Sequence, residues 1–278
     1  MQSITNKSTI RDMRECNKVL AWAQSTSTHG LHFKSGAFDW EEMLTCSITD
    51  ASFGNDKVLV KDEFEGNRSQ QGYIIALGQP DIINAKQAVI HPICWSSTTI
   101  RRACRSTLVA ETFAMIKGTE AGTRIRAAVV DALGLLDMHE WEESAARNMG
   151  HVWFTDCDSL YEHLVATRFN QIENKRLSID LMALRQQIWE REGERTEVVE
   201  HSFGDYPRWI DTSTMISHPL TKVMNNDRLT QTFMTGVFDM VPTPESLMIK
   251  EKNRLLRQAK KDSDGGTVKG DNDADNEA

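Results

Sequence analysis

From Met43 the chain reads MLTCSITDASFG, in which Leu44, Cys46 and Ile48 alternate with Thr45, Ser47 and Thr49. A period of two predicts a half-buried strand over residues 41–54. The next position on the apolar side is Asp50, and Gly54 and Asn55 close the run. Burying even a neutral polar group without a partner costs on the order of 2–7 kcal/mol. An aspartate at a strand exit ordinarily caps a turn, and alone Asp50 would be read so.

The pattern recurs. HVWFTD at 151–156 places Val152 and Phe154 on one face, and Asp156 continues it. Between the two strands, STLVAETFAMIK at 106–117 has helical spacing, with Leu108, Glu111, Thr112 and Met115 on one stripe. Glu111 thus also interrupts an apolar face. Three acids, on strand, helix and strand, point to carboxylates gathered around divalent cations.

The remaining periodicity fills in the order of elements. Helical spacing covers 17–23, and His32-Phe33 ends that lead-in. Residues 55–67 are polar and loop-like. Strands are predicted at Gly72–Leu77 and His91–Ser97, an antiparallel meander with the first. Helix continues from 119 through TEAGTRIRAAVVDALGLL, followed by a polar loop up to the strand at 151–156. Further helices are predicted at 158–166 and 176–191, the second with Leu177, Leu181, Leu184 and Ile188 on one stripe, then a fifth strand at 197–203. A last short helix lies around Pro219–Lys222, with Pro219 in its first turn and Ser217 as cap. Residues 250–261 are basic and 262–278 acidic and Gly/Asp-rich, the composition of a disordered tail.

Composition narrows the setting. The 278 residues are 40% hydrophobic and 26% charged, ordinary for a globular protein. No apolar run is long enough to span a membrane, so no membrane partner is expected. Five cysteines form no CxxC pair and lie mostly in apolar segments. They read as reduced, packed thiols of a cytosolic (cytoplasmic) or nuclear protein rather than zinc ligands. A net charge of −8 argues mildly against a general nucleic-acid binder, although local patches matter more. Arg101, Arg102 and Arg105 form one such patch before the Glu111 helix. They are either a solvated face or phosphate contacts.

The order β-β-β-α-β-α-β-α, with acids at the first strand, first helix and fourth strand, carries a resemblance. The matching text is TDASFG at 49–54, RSQQGY at 68–73, CWSSTTIRRACRSTLVAET at 94–112, FTDCDS at 154–159, KRLSIDL at 175–181 and HPLTK at 218–222. These stretches resemble the ribonuclease H module at the C-terminal end of the Pol polyprotein of copia-type LTR retrotransposons. The match runs from about residue 15 to about residue 240, and the lead-in NKVLAWAQSTSTHGLHF looks like the segment joining reverse transcriptase to that module.

The resemblance implies an α/β, ribonuclease H-like fold: a five-stranded mixed sheet with helices on both faces. It implies residues 1–40 as lead-in, 41–240 as the ribonuclease H-like domain and 241–278 as tail. It implies an endonuclease that hydrolyses the RNA strand of RNA–DNA hybrids with two Mg²⁺ (or Mn²⁺) ions, in company with a reverse-transcriptase domain of the same element. Asp50, Glu111 and Asp156 fall on metal-ligand positions. Two ions roughly 3.5–4 Å apart could activate a water and stabilise the leaving 3′ oxygen. Ser69 and Gln71 are candidates for reading the 2′-OH. The pattern departs at the fourth catalytic position, where an acid followed by x-Leu-Thr-Lys is replaced by His218. A neutral imidazole there suits Mn²⁺ better than Mg²⁺. Asp211 is a conceivable substitute, and Asp158 should point off the strand face.

Integrases and transposases of related fold carry Asp, Asp, Glu in that order. Here Glu comes second, which favours the hydrolase. No Tyr-x-Asp-Asp polymerase motif and no His/Cys zinc motif occurs. The alternative is a weakened or inactive ribonuclease H-like module that binds hybrid or packs against a polymerase.

Overall fold

The computed structural model describes residues 9–60, 64–168, 172–193 and 204–242, with 244, 247–248, 251–252 and 255 beyond. Met1–Met240 make one compact unit and Val241–Ala278 another. Residues 256–278, which contain the acidic tail, lie outside the described residues.

In chain order the first unit contains α1 (Ile10–Ser25), β1 (Leu44–Val60), β2 (Phe64–Gly78), β3 (Gln87–Val89), β4 (His91–Thr99), α2 (Thr107–Ala132) and α3 (Trp141–Asn148). Then follow β5 (Gly150–Thr155), α4 (Asp158–Val165), α5 (Lys175–Gly193), β6 (Asp205–Trp209), α6 (His218–Thr221), α7 (Asp227–Thr235) and β7 (Val237–Asp239). Among the described residues the main sheet has five strands in the order β4-β2-β1-β5-β6. The first three are antiparallel neighbours, whereas β5 and β6 run parallel to β1. Each parallel crossover carries helices, as such connections require.

Two apolar layers sandwich the sheet. On one face Leu44, Cys46, Ile48, Ile74, Val152 and Phe154 pack against Ile82, Ile90, Met215, Ile216 and Phe238, with α6 and α7 at the margin. On the other face Ala51 and Trp153 meet Phe113 and Met115 of α2, Leu160 of α4, and Leu181 and Leu184 of α5. This is an α/β fold, a mixed five-stranded sheet with helices on both faces. Among the described residues no helix is long and apolar enough to cross a membrane.

The first strand is not half-buried. Thr45, Ser47 and Thr49 are as inaccessible as the apolar residues between them. β1 is the central strand, and α2 lies directly on its hydroxyl face. Ser47 donates to the Gly118 carbonyl (2.9 Å) and Thr49 to the Phe154 carbonyl (3.2 Å), which satisfies the buried hydroxyls. Gly118 and Gly122 make the close approach feasible. A Cβ on Gly118 would meet Thr49 Cγ2 at 2.3 Å, and one on Gly122 would meet the His151 ring at 2.4 Å.

Other elements also depart from the periodic reading. The polar stretch after Gly54 is strand: β1 runs on to Val60 and pairs with β2 beyond a register shift between Ser52 and Asp56. Gly54 has φ +66°, the conformation such a bulge needs. Polar composition does not prevent pairing in a hairpin arm whose ladder satisfies the backbone. The predicted strand at 197–203 lies outside the described residues. The fifth strand of the sheet is β6, whose Pro207 is tolerable because β6 is an edge strand. The polar loop before β5 contains α3. Cys16 is exposed rather than packed, although no cysteine is in a disulfide. Ser217 occupies the cap position of α6, but its hydroxyl makes no capping bond.

Candidate active site

The parallel ladder of β1 and β5 sets the site. Leu44 stands beside Gly150 and Ile48 beside Phe154. Two residues further in the same register, Asp50 comes level with Asp156, just past the end of β5. Asp50 is fully buried. Asp50, Asp156 and His218 each present one ligand atom, and these atoms lie within 4.8 Å of one another.

Glu111 comes from the second turn of α2, whose start is fixed by Ser106 accepting from the Val109 amide (3.3 Å). It is buried, and its carboxyl receives the Ala51 backbone amide. Its Oε2 has no hydrogen-bond partner among the described residues. Burial, then the charges of Asp50 and Asp156, hold the Glu111 carboxyl well above its usual range. The buried stripe on α2 is broader than predicted. Every residue from Val109 to Met115 is buried, because α2 packs between the sheet and the other helices, while Leu108 is only half-buried.

Cations of the chain itself face the acids. His218 Nδ1 lies 3.0 Å from Asp50 Oδ1. Its Nε2 is 3.4 Å from Asp156 Oδ2, close enough for an ion pair but without hydrogen-bond alignment. Lys222 Nζ donates to Asp50 Oδ1 (3.1 Å), and Thr221 Oγ1 donates to Asp50 Oδ2. Burial alone would raise the Asp50 pKa, but the His218 hydrogen bond and charge, with Lys222 and Thr221, bring it below the ordinary value. Burial would likewise lower the His218 pKa. The nearness of the Asp156 and Asp50 carboxyls and the Asp50 charge override this and raise it to about 9. This favours the imidazolium form over the neutral imidazole that the sequence suggests, while the Lys222 ammonium 3.1 Å from Nδ1 opposes it.

The other candidates are placed less centrally. Asp211 is occupied in a local turn, accepting from the Ser213 amide (3.0 Å) and hydroxyl (2.7 Å). Asp158 is exposed at the first residue of α4, off the strand face. Ser69 is buried and accepts from the Gly54 amide (3.2 Å), so it supports the bulge of β1. Gln71 is half-buried and donates to Thr98 (3.2 Å) on β4. Arg101, Arg102 and Arg105 are exposed in the loop between β4 and α2, with the Arg102 guanidinium 5.4 Å above the Phe113 ring. Lys222 and Thr221 were not singled out from sequence. The one signal for them was their place in HPLTK.

A divalent cation fits the donor set. Asp50 and Asp156 bring hard oxygen donors of the kind Mg²⁺ and Mn²⁺ prefer within 4.8 Å of each other and of a His218 nitrogen, and Glu111 feels the charge of both, though it is not one of that close group. The unpartnered Glu111 Oε2 is an oxygen that such an ion would satisfy.

No family model and no curated protein matches this chain. Solved structures similar to it include ribonuclease H1 from the halophilic archaeon Halobacterium salinarum, at 14% identity, 67% of this chain, 98% of that chain and a TM-score of 0.35. LC11 ribonuclease H1 in complex with RNA/DNA hybrid is 12% identical over 64% of this chain and 93% of its own, with a TM-score of 0.38. The foamy viral protease-reverse transcriptase in complex with RNA/DNA hybrid is 9% identical over 65% of this chain and 19% of its own, with a TM-score of 0.31.

Proposed function

We propose that this chain is a divalent-metal-dependent endonuclease of the ribonuclease H type, acting on the RNA strand of RNA–DNA hybrids. The observation that carries the reading is the meeting of Asp50 and Asp156, from neighbouring parallel strands, beside His218, with Glu111 of α2 near enough for their charges to raise its pKa and its buried Oε2 without a partner among the described residues. Asp50, Glu111 and Asp156 would hold Mg²⁺ or Mn²⁺. Such ions supply an activated water and charge to stabilise a leaving 3′ oxygen. Asp50 and Asp156 are positioned by adjacent parallel strands, and Glu111 by a helix clamped onto the sheet, so the ligands are held before any ion arrives. His218 and Lys222 place positive charge beside the scissile phosphate. Arg101, Arg102 and Arg105 are exposed to meet the phosphate backbone, and Gln71, two residues after Ser69 on β2, is where a 2′-OH could be read. The copia-type resemblance supports reading the module as the neighbour of a reverse transcriptase of the same element, with residues 1–40 as the joining segment.

A second reading has its own observation. Both oxygens of Asp50 are engaged by His218, Lys222 and Thr221, as in a module that binds hybrid without cutting it. Incubating the protein with labelled RNA–DNA hybrid in Mg²⁺ or Mn²⁺ separates the two. The RNA strand should be cut by the parent and left intact by Asp50→Asn. Hybrid binding without cleavage in either metal would establish the second reading instead.

A further inference from the structure

The three acids are not engaged alike. Among the described residues Glu111 Oε2 lacks a partner, whereas Asp50 is crowded by cations on the side of α6. Lys222 Nζ lies 3.1 Å from Asp50 Oδ1 and 3.1 Å from His218 Nδ1. The lysine is held there by the fold. Gly72 is the β2 partner of Asp50 in the antiparallel ladder. A Cβ on Gly72 would meet Leu220 Cβ at 2.8 Å and Thr221 Cγ2 at 3.0 Å, so glycine is what lets α6 lie against the strand. Ser97 of β4 donates to the Leu220 carbonyl, and the Lys222 amide donates to the His218 carbonyl (2.9 Å). Lys222 thus leaves α6 with its ammonium directed at Asp50, while 35% of its side chain stays accessible.

We propose that the Lys222 ammonium takes the place of a second divalent ion, so that the centre holds one ion, ligated by Glu111 with oxygens of Asp50 and Asp156. The inference rests on the metal-centre reading of those three acids. Lysine is an ammonium at neutral pH, a compact point charge with three donors. At this distance it neutralises the Asp50 oxygen a second ion would need, and it repels a dication at that position. It can donate to a phosphate oxygen, but it offers no coordinated water. Lys222 is therefore a charge that tunes the centre, and Glu111 with Asp50 and Asp156 supplies the ligation.

The test counts bound metal in the full chain without nucleic acid. Mn²⁺ is titrated by calorimetry, with free Mn²⁺ followed by electron paramagnetic resonance. The parent should bind one Mn²⁺ per chain, and Asp50→Asn should weaken that binding. Lys222→Met should either admit a second Mn²⁺ or bind the first about tenfold tighter, the order expected for deleting one unit charge beside the ion at a partly exposed position. Lys222→Arg should behave as the parent, which a purely packing role for the lysine would not produce. Equal stoichiometry and affinity in parent and Lys222→Met, or two ions in the parent, overturns the inference and leaves the metal centre standing. A parent that binds no Mn²⁺ removes both. If Lys222→Met does not fold, Lys222→Gln is measured in the same way. If both neutral variants are unfolded with Mn²⁺ present, Lys222 is a structural counter-charge and the inference fails.

Discussion

Gly118→Ala sets helix propensity against packing. Within a helix, alanine is favoured over glycine by about 1 kcal/mol. The new Cβ would sit 2.3 Å from Thr49 Cγ2 and 3.4 Å from Tyr73 Cβ. Carbon atoms settle at about 3.5–4 Å, so helix and strand would have to part by more than about 1 Å at this point. Thr49 cannot turn aside freely, because it is fully buried and its hydroxyl is bonded to the Phe154 carbonyl. Overpacking of this kind costs about 1–3 kcal/mol. Parting the layers also loosens the Ser47 bond to the Gly118 carbonyl, a further loss of about 1 kcal/mol. The losses exceed the propensity gain, for a net destabilisation of roughly 1–3 kcal/mol. Urea denaturation should show a lower midpoint at unchanged slope. Thr49→Ser removes the clashing methyl and keeps the hydroxyl. The double variant Thr49→Ser/Gly118→Ala should therefore recover much of the loss, with a coupling of at least about 1 kcal/mol. Gly118 lies seven residues after Glu111 on the same stripe, so Gly118→Ala should also weaken Mn²⁺ binding. If Gly118→Ala were as stable as the parent, the close approach of α2 to β1 would not be a constraint.

Two other measurements bear on the buried charges. His218 has a folded pKa raised to about 9 from an ordinary 6.5, so in the metal-free protein it adds stability that is complete below about 6.5 and lost as pH rises through about 9. Metal-free parent should lose more stability over that window than His218→Asn, and parallel curves would rule the imidazolium out. At the opposite end of the sheet Arg126 Nη1 pairs with Asp205 Oδ1 at 2.7 Å, with both side chains almost inaccessible. Arg126→Met should cost about 3–5 kcal/mol by stranding a buried carboxylate, and Arg126→Met/Asp205→Leu should regain most of it. A single-variant cost under about 1 kcal/mol would show that Asp205 finds other compensation.

The sequence by itself determined the apolar faces of β1 and β5 and the order of the elements that carry the three acids. Alternation through Leu44, Cys46 and Ile48, and through Val152 and Phe154, is a local consequence of the pleat. It revealed Asp50 and Asp156 as acids continuing buried faces, and helical spacing did the same for Glu111. Periodicity does not report what covers a face. That the Thr45, Ser47 and Thr49 side is also buried follows from β1 becoming the central strand, and the signal lay in Gly118 and Gly122 on a different element. The strand Asp205–Trp209 carries a proline and no clean alternation. It is strand because β5 offers it a ladder and because Asp205 meets Arg126, 79 residues earlier. Only the tertiary structure brought α6 onto Asp50 across 171 residues of chain. The raised pKa of His218 and the place of Lys222 follow from that contact, because a side chain's titration and partner depend on what the whole fold brings within a few ångströms of it.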